Sequence, residues 1–333
     1  AQPGEFVKGV LQPLADGFPK RPLTLVVVDD PGTRDDLYAK SLQAASKDLC
    51  PVAIKVSCEP SASGGNWYTI QEVATREGGE DGYYPIIIGG SFGVVTDLLI
   101  EPGTKAIGAK LDQLNMVIST DVLPFVIIQR KNAPWGRTWA DLVKFGKANP
   151  GKLRYISYGV GGSEDIIMEM ILKDVGVKVE KIPQGTLQEV ASTIGAGEGD
   201  FSVTQLAIAL TNWQAGKVDV ILVMGDSIPS TWSKDPNVAT AKQAGIANPE
   251  TMVSLLGVGV PSKVPQAHVD WLYKLLKAAA TSDLHQKRAQ MYPGLIFRIA
   301  DGATTNNWHK KIYQFAEPVI RSIGLHVDDI KGK

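Results

Sequence analysis

Residues 158–163 have the clearest potential for chemistry, because three glycines and a serine stand between a strand-like and a helix-like segment. The segment reads Tyr158-Gly159-Val160-Gly161-Gly162-Ser163. Glycines allow a tight turn with free N–H groups, and a helix N-terminus carries a partial positive charge, so turns of this kind bind anions. Ser163 is expected at the N-cap, where its hydroxyl caps the helix and can also donate to a ligand.

The same turn is a poor fit to a dinucleotide. The dinucleotide fingerprint would place its third glycine at Glu164, and an acidic side chain there would repel a pyrophosphate. The sequence therefore favours a small carboxylate-type anion, with a plain strand-to-helix turn as the alternative.

Two other turns share this architecture. Gly89-Gly90-Ser91 follows a strand-like run, and we expect Ser91 either to cap a helix or to bind the ligand as well. The first loop, residues 29–36, contains Asp30, Thr33, Arg34 and Asp36. Arg34 suits bidentate binding of a carboxylate, but neutralising its acidic neighbours is an equally good interpretation.

Catalytic sites are poorly supported. The four histidines, at positions 268, 285, 309 and 326, do not follow predicted strands, and we expect them to be isolated surface residues. No nucleophile elbow, Walker loop or metal-ligand spacing is present, so no cofactor is predicted. Asp29 and Asp30 are the only candidate acid–base pair, and adjacent strand-end residues usually point apart.

Composition limits the partners. Lys plus Arg number 34 against 35 Asp plus Glu, so there is no basic field to bind nucleic acid or an anionic membrane. The start at Ala1-Gln2 resembles the product of signal-peptide cleavage, which predicts a secreted protein. Cys50 and Cys58 are compatible with a disulfide, but the strand-like segment between them would hold the sulfurs apart.

Strand-like and helix-like segments alternate along the 333 residues, which predicts two doubly wound α/β domains. No flexible linker separates them, so we expect two chain crossings and a ligand cleft between the domains. The crossings are placed near residues 119–121 and 225–227. The predicted domains are therefore 18–120 plus 226–333, and 121–225.

Several motifs, in order, resemble the periplasmic solute-binding receptors of the tripartite tricarboxylate transporter family, called Bug-type receptors. The most specific runs from Asn149-Pro150-Gly151-Lys152-Leu153 to the turn at 159–163. Phe18-Pro19-Lys20-Arg21-Pro22-Leu23, the loop at 59–65, Asp81-Gly82-Tyr83, Ala215-Gly216-Lys217-Val218 and Ile323-Gly324-Leu325 also match.

The resemblance implies a monomeric, periplasmic receptor of Venus-flytrap type that closes on a small carboxylate and docks on integral membrane transporter subunits. It implies that Asp30 to Asp36 and Tyr158 to Ser163 hold the carboxylate, with Ser91, Thr204 and Gln205 also lining the cleft. A sensor for a two-component system and an α/β enzyme acting on a small acid are the alternatives.

One departure from the family concerns the first loop, which in the family is apolar and glycine-rich. Here it reads Val28-Asp29-Asp30-Pro31-Gly32-Thr33-Arg34-Asp35-Asp36. Charge in a small cleft is costly unless paired. Either Arg34 binds an anionic group, or the acids select a ligand with a positive or hydroxyl group.

Overall fold

Thirteen strands and eleven helices alternate in the computed structural model over its described residues, 2–60, 65–225, 227–289 and 295–329. The strands are β1 Phe6–Val7, β2 Val10–Leu11, β3 Leu23–Val27, β4 Ile54–Cys58, β5 Ile86–Ile88, β6 Leu114–Arg130, β7 Leu153–Tyr158, β8 Val179–Gln184, β9 Phe201–Gln205, β10 Val218–Val223, β11 Ala239–Thr240, β12 Val253–Pro261 and β13 Ile296–Asp301. The helices are α1 Arg34–Ser46, α2 Gly65–Thr75, α3 Ser91–Ile100, α4 Pro102–Ala106, α5 Trp139–Ala148, α6 Ser163–Val175, α7 Leu187–Gly195, α8 Leu206–Gln214, α9 Gln266–Ala280, α10 Asp283–Ala289 and α11 Gly302–Ser322. This mixed α/β architecture confirms the predicted fold class.

Local signals explain where these helices begin and end. Thr138 caps α5 by accepting from the Asp141 N–H at 3.1 Å, and the Asp141 side chain accepts from the Thr138 N–H in return. Gly176 ends α6 in the left-handed conformation, which a glycine adopts without steric cost. Among the described helices none has the length and apolar character needed to cross a membrane.

The chain divides into two compact units. Unit 1 comprises residues 1–122, 255–292 and 297–311, and unit 2 comprises 123–254, 293–296 and 312–333. These bounds imply five crossings instead of the two expected, and residues 312–333 belong to unit 2, not to the unit of residues 18–120 as expected. The first crossing lies within β6. The second lies within β12 rather than near residues 225–227, because β11 pairs with β10 and Trp232 packs in the core of unit 2. Residue 226 itself, like 61–64 of the loop at 59–65, lies outside the described residues.

Unit 1 contains a sheet in the order β4-β3-β5-β12-β6. β3 pairs in parallel with β4 and β5, so the carboxyl ends of β3 and β5 lie at one edge. The first loop follows β3 and the turn at Gly89-Gly90-Ser91 follows β5. This topology brings two of the predicted turns together.

Unit 2 contains a sheet in the order β10-β6-β9-β7-β8. β7 is parallel to β9, and β10 and β9 are both antiparallel to β6. The carboxyl ends of β7, β9 and β10 therefore lie at the same edge of this sheet. Ligands of α/β proteins bind outside the carboxyl ends of strands, so this edge is the place to look for a site.

Candidate functional site

The turn at residues 158–163 joins β7 to α6 as predicted, through two residues in the left-handed region. Gly159 has φ 62° and Gly161 has φ 86°, values that glycine adopts readily and other residues do not. Gly162, with extended backbone angles, is the N-cap of α6, and Ser163 is its first helical residue. The expectation that Ser163 is the N-cap is therefore wrong by one residue, and its hydroxyl is not used to cap the helix.

Asp165 stabilises this turn by accepting hydrogen bonds from three groups around it. Its carboxylate is fully buried and accepts from the Ser157 hydroxyl at 2.9 Å, the Gly161 N–H at 3.0 Å and the Lys181 ammonium at 2.6 Å. The Ser157 hydroxyl also lies 2.9 Å from the Gly159 carbonyl oxygen. The turn is thus held by side chains from β7, β8 and α6, and the Gly161 N–H is not available to a ligand.

The donors that remain available lie at the start of α6. Within the described part of the chain, the N–H groups of Gly162 and Ser163 and the Ser163 hydroxyl have no hydrogen-bond partner. They lie at the N-terminus of the 13-residue helix α6, whose macrodipole favours a negative charge at this end. This arrangement can accept one carboxylate group.

Glu164 and Gln205 link the turn to the end of β9. Gln205 Nε2 donates to Glu164 Oε1 at 3.2 Å, while the Glu164 side chain is only 4% exposed. Burial raises the pKa of Glu164, although hydrogen bonds from its own N–H and from Gln205 oppose this.

The neighbouring Thr204 is buried, and its Oγ1 has no partner among the described residues. Tyr158 packs against the core of unit 2.

In unit 1 the first loop uses most of its polar groups internally. Thr33 is the N-cap of α1. The buried Asp36 accepts from the Gly32 N–H at 2.6 Å, from Lys40 at 2.7 Å and from the Cys58 thiol at 3.4 Å. Burial opposes ionisation, but these three hydrogen bonds hold the pKa of Asp36 below its ordinary value. Asp36 therefore stabilises the start of the helix.

Arg34 spans the two turns of unit 1. Its Nε donates to Asp35 Oδ1 at 2.9 Å, and its Nη2 donates to the Gly89 carbonyl oxygen. The guanidinium therefore neutralises an acidic neighbour and ties α1 to the turn after β5, which is one of the two interpretations that the sequence left open. Asp30 is exposed, and its carbonyl oxygen accepts from the Thr33 hydroxyl at 2.9 Å.

Ser91 is the first residue of α3, after the N-cap Gly90. Its side chain is fully buried, and its Oγ accepts from the Leu255 N–H at 3.0 Å. The hydroxyl therefore joins α3 to β12, a role that sequence alone did not indicate.

The four histidines are buried, so the expectation of surface histidines is wrong. His268 stacks on Phe18 at 4.0 Å between ring centroids and contacts Asp16 Oδ2 at 2.7 Å. His285 contacts the Ser41 hydroxyl at 2.9 Å, and burial lowers its pKa to about 3. Their partners are distant in sequence, which is why local pattern did not reveal them.

The cysteines and the possible metal ligands form neither a disulfide nor a metal site within the described residues. Cys50 and Cys58 are both free thiols. Over the described residues no group of three or more His, Cys, Asp or Glu side chains could hold a metal ion. Asp29 Oδ1 accepts from the Asp30 N–H at 2.8 Å, so one oxygen of this candidate acid–base pair is used within the loop.

Comparisons with known proteins identify the family of the chain. The model of the family described as "Tripartite tricarboxylate transporter family receptor" matches residues 41–290. A UPF0065 protein of Bordetella pertussis is 26% identical over 269 residues, which is 80% of this chain and 79% of that protein.

Solved structures show the same fold. A TctC solute-binding protein from Polaromonas is 20% identical, with a TM-score of 0.78 over 92% of this chain and 99% of that one. The R. palustris protein Rpa4515, solved with adipate, is also 20% identical, with a TM-score of 0.62 over 93% of this chain and 99% of that one. The chain belongs to the receptor family of the tripartite tricarboxylate transporters, of the Bug type.

Proposed function

We propose that this chain is a periplasmic receptor that captures a small organic acid, closes its domains on it and delivers it to the membrane subunits of a tripartite tricarboxylate transporter. Membership of the receptor family supports this proposal. The residue-level observation that carries it is the set of unpartnered donors on Gly162 and Ser163 at the start of α6.

Those donors favour a carboxylate as the group of the ligand that the turn binds. Two N–H groups and a hydroxyl without partners among the described residues lie at the positive end of a helix, which suits a single carboxylate. Binding of adipate by a protein of the same fold agrees with this choice. The internal pairing of Arg34 with Asp35 and Gly89 leaves the first loop without a free cation, so we propose that the Gly159–Ser163 turn provides the main anion contact.

A thermal-shift screen tests capture against catalysis. Short monocarboxylates, dicarboxylates including adipate, aromatic acids and amino acids are each added in excess, and their turnover is followed by chromatography. An acid at about 100 times its dissociation constant should stabilise the protein by about 2.7 kcal/mol. If no acid raises the melting temperature, or if an acid is consumed, the receptor proposal is wrong.

Ser163→Glu tests the turn itself. The variant places a carboxylate where the ligand's carboxylate would lie, and we expect it to abolish binding of the acid found in the screen. Ser192→Glu is the matched control, because Ser192 is an exposed residue of α7 and the variant has the same net charge. Equal affinity of the two variants, measured by calorimetry, would remove the turn from the site.

A further inference from the structure

Glu164 differs from every other buried acid in the described part of the chain. Six acidic side chains are buried there, and five of them have a Lys or Arg partner. Glu164 is 4% exposed and has no such partner among the described residues. The five ion pairs are Asp36 with Lys40 at 2.7 Å, Asp121 with Arg288 at 2.6 Å, Asp165 with Lys181 at 2.6 Å, Asp200 with Arg130 at 3.0 Å and Asp219 with Lys131 at 2.6 Å.

The Glu164 carboxylate lies beside the donors of the candidate carboxylate site. It accepts hydrogen bonds from its own N–H and from Gln205 Nε2, the latter at 3.2 Å. The Glu164 N–H comes next in the chain after the unpartnered N–H groups of Gly162 and Ser163. A carboxylate held by the Ser163 N–H would therefore lie roughly 4–6 Å from the Glu164 carboxylate. One helix N-terminus would then face two carboxylates.

Two negative charges in this arrangement repel each other. At about 5 Å and an effective dielectric constant of about 20, the repulsion lowers the affinity for an added carboxylate roughly a hundredfold. The helix macrodipole offsets only part of this, because it is equivalent to about half an elementary charge. A proton on one of two neighbouring carboxylates removes the repulsion. Glu164 is the acid to carry that proton, because its burial makes its charge the more costly.

We propose that Glu164 takes up a proton from solvent when the acid binds, so that the receptor captures an ionised carboxylate together with one proton. Burial already raises the pKa of Glu164 in the free protein, and the arrival of a second negative charge raises it further. The proton returns to solvent when the acid leaves. This inference rests on the proposed function, since it needs an acid at the Gly159–Ser163 turn.

The other titratable groups around Glu164 come from α6 and from the strands beside it. Burial and the charge of Asp165 hold the pKa of the Tyr155 hydroxyl on β7 well above its ordinary value, so this hydroxyl stays neutral. Asp165 is paired with Lys181 of β8. Gln205 of β9 does not titrate. Proton uptake at this end of α6 is therefore expected from Glu164.

Calorimetric titration with the acid found in the thermal-shift screen tests the proposal. Each titration is run at about pH 6, 7 and 8 in PIPES and in imidazole buffer, whose ionisation enthalpies differ, so that the difference in heat counts the protons taken up. We expect uptake to reach at least about half a proton per bound acid at one of these pH values. Affinity should then fall about tenfold from pH 6 to pH 8.

Glu164→Gln keeps the size of the side chain and removes the titratable group. We expect this variant to bind the acid without proton uptake and with an affinity that changes less than about twofold over the same pH range. Glu169→Gln is the matched control, because it makes the same charge change on the same helix at a carboxylate that is 24% exposed and contacts Lys181. It should keep the proton uptake of the wild-type protein.

Gln205→Ala is an independent variant should Glu164→Gln not fold. Loss of the amide donor removes a hydrogen bond that favours the charged form of Glu164, so the pH of largest proton uptake should rise. An unchanged pH of largest uptake in this variant would contradict the proposal.

The outcomes separate this proposal from the proposed function. Binding without proton uptake in the wild-type protein, or equal uptake in the wild-type protein and Glu164→Gln, would overturn the proposal and leave the proposed function standing. Absence of binding for every acid at all three pH values would overturn both.

Discussion

Asp165 should contribute more to stability than any surface acid of unit 2, because it is a buried charge that accepts from three groups. Asp165→Ala leaves Lys181, the Ser157 hydroxyl and the Gly161 N–H without this acceptor. Removing one partner of a buried ion pair costs about 3–5 kcal/mol. Lys181 is 26% exposed and keeps Glu169 at 3.1 Å, so we expect a loss at the lower end, about 3 kcal/mol.

Glu169→Ala is the matched control, since Glu169 contacts the same ammonium but is 24% exposed. Its loss should be less than about 1 kcal/mol, as for other exposed pairs. Both variants are compared by urea unfolding followed by tryptophan fluorescence, to which Trp135, Trp139, Trp213 and Trp232 of unit 2 contribute. If Asp165→Ala costs no more than Glu169→Ala, the idea that Asp165 braces the turn is wrong.

Three further predictions concern single groups. Burial lowers the pKa of His309 to about 4, so only the unfolded state takes up a proton there between about pH 6.5 and 4; this should lower stability by roughly 2 kcal/mol from pH 7 to 5, in addition to a similar loss from His285, and His309→Leu should reduce the pH dependence by that amount in urea titrations. Gly89→Ala would place a methyl group on the Asp35 carboxylate and should cost about 1–3 kcal/mol by thermal unfolding, with recovery in the Gly89→Ala/Asp35→Ala double variant. Glu164→Gln removes a charge beside the turn and should raise affinity for the acid found in the thermal-shift screen at least about threefold by calorimetry at pH 8; unchanged affinity would mean that Glu164 does not face the ligand.

Much of the secondary structure of unit 2 was predictable from sequence, because the residues that mark its helices and strands lie within or next to those elements. α6 has the predicted bounds, 163–175, since glycines stand at both ends and apolar residues fill its buried face. The three strands that end at the site edge, β7, β9 and β10, agree with segments predicted at 153–157, 201–203 and 218–223, of which only the last is nearly continuous in apolar residues.

The first half of β6 was missed because its polar residues read as a crossing between domains. Ser119 lies 3.1 Å from the Thr305 hydroxyl oxygen, and Asp121 accepts from Arg288 at 2.6 Å. Their partners are more than 150 residues away, so burial could not be recognised locally. The helix that Ser91 was expected to cap is α3, but its extent was not predicted, because it is apolar on nearly all sides and lacks the periodicity of a surface helix.

The glycines in the sequence indicated where the candidate site lies, but they did not indicate which side chains hold the turn in place. Sequence identified the turn, whereas the support from Asp165 and Lys181 and the link from Gln205 to Glu164 depend on which strands pair. An acid in the first turn of a helix is a common helix-start signal, so Asp165 carried no distinguishing mark.

The support from Asp165 has an energetic consequence for recognition. Ordering a free backbone residue costs about 1–2 kcal/mol, and a loose loop would incur this cost each time a ligand arrives. In this protein Ser157, Asp165 and Lys181 already fix the glycines. The backbone entropy of the turn is therefore lost during folding and not at each binding event. If the turn binds a carboxylate as proposed, side chains around it can change during evolution and alter which acid is preferred, while the backbone that holds the carboxylate stays fixed.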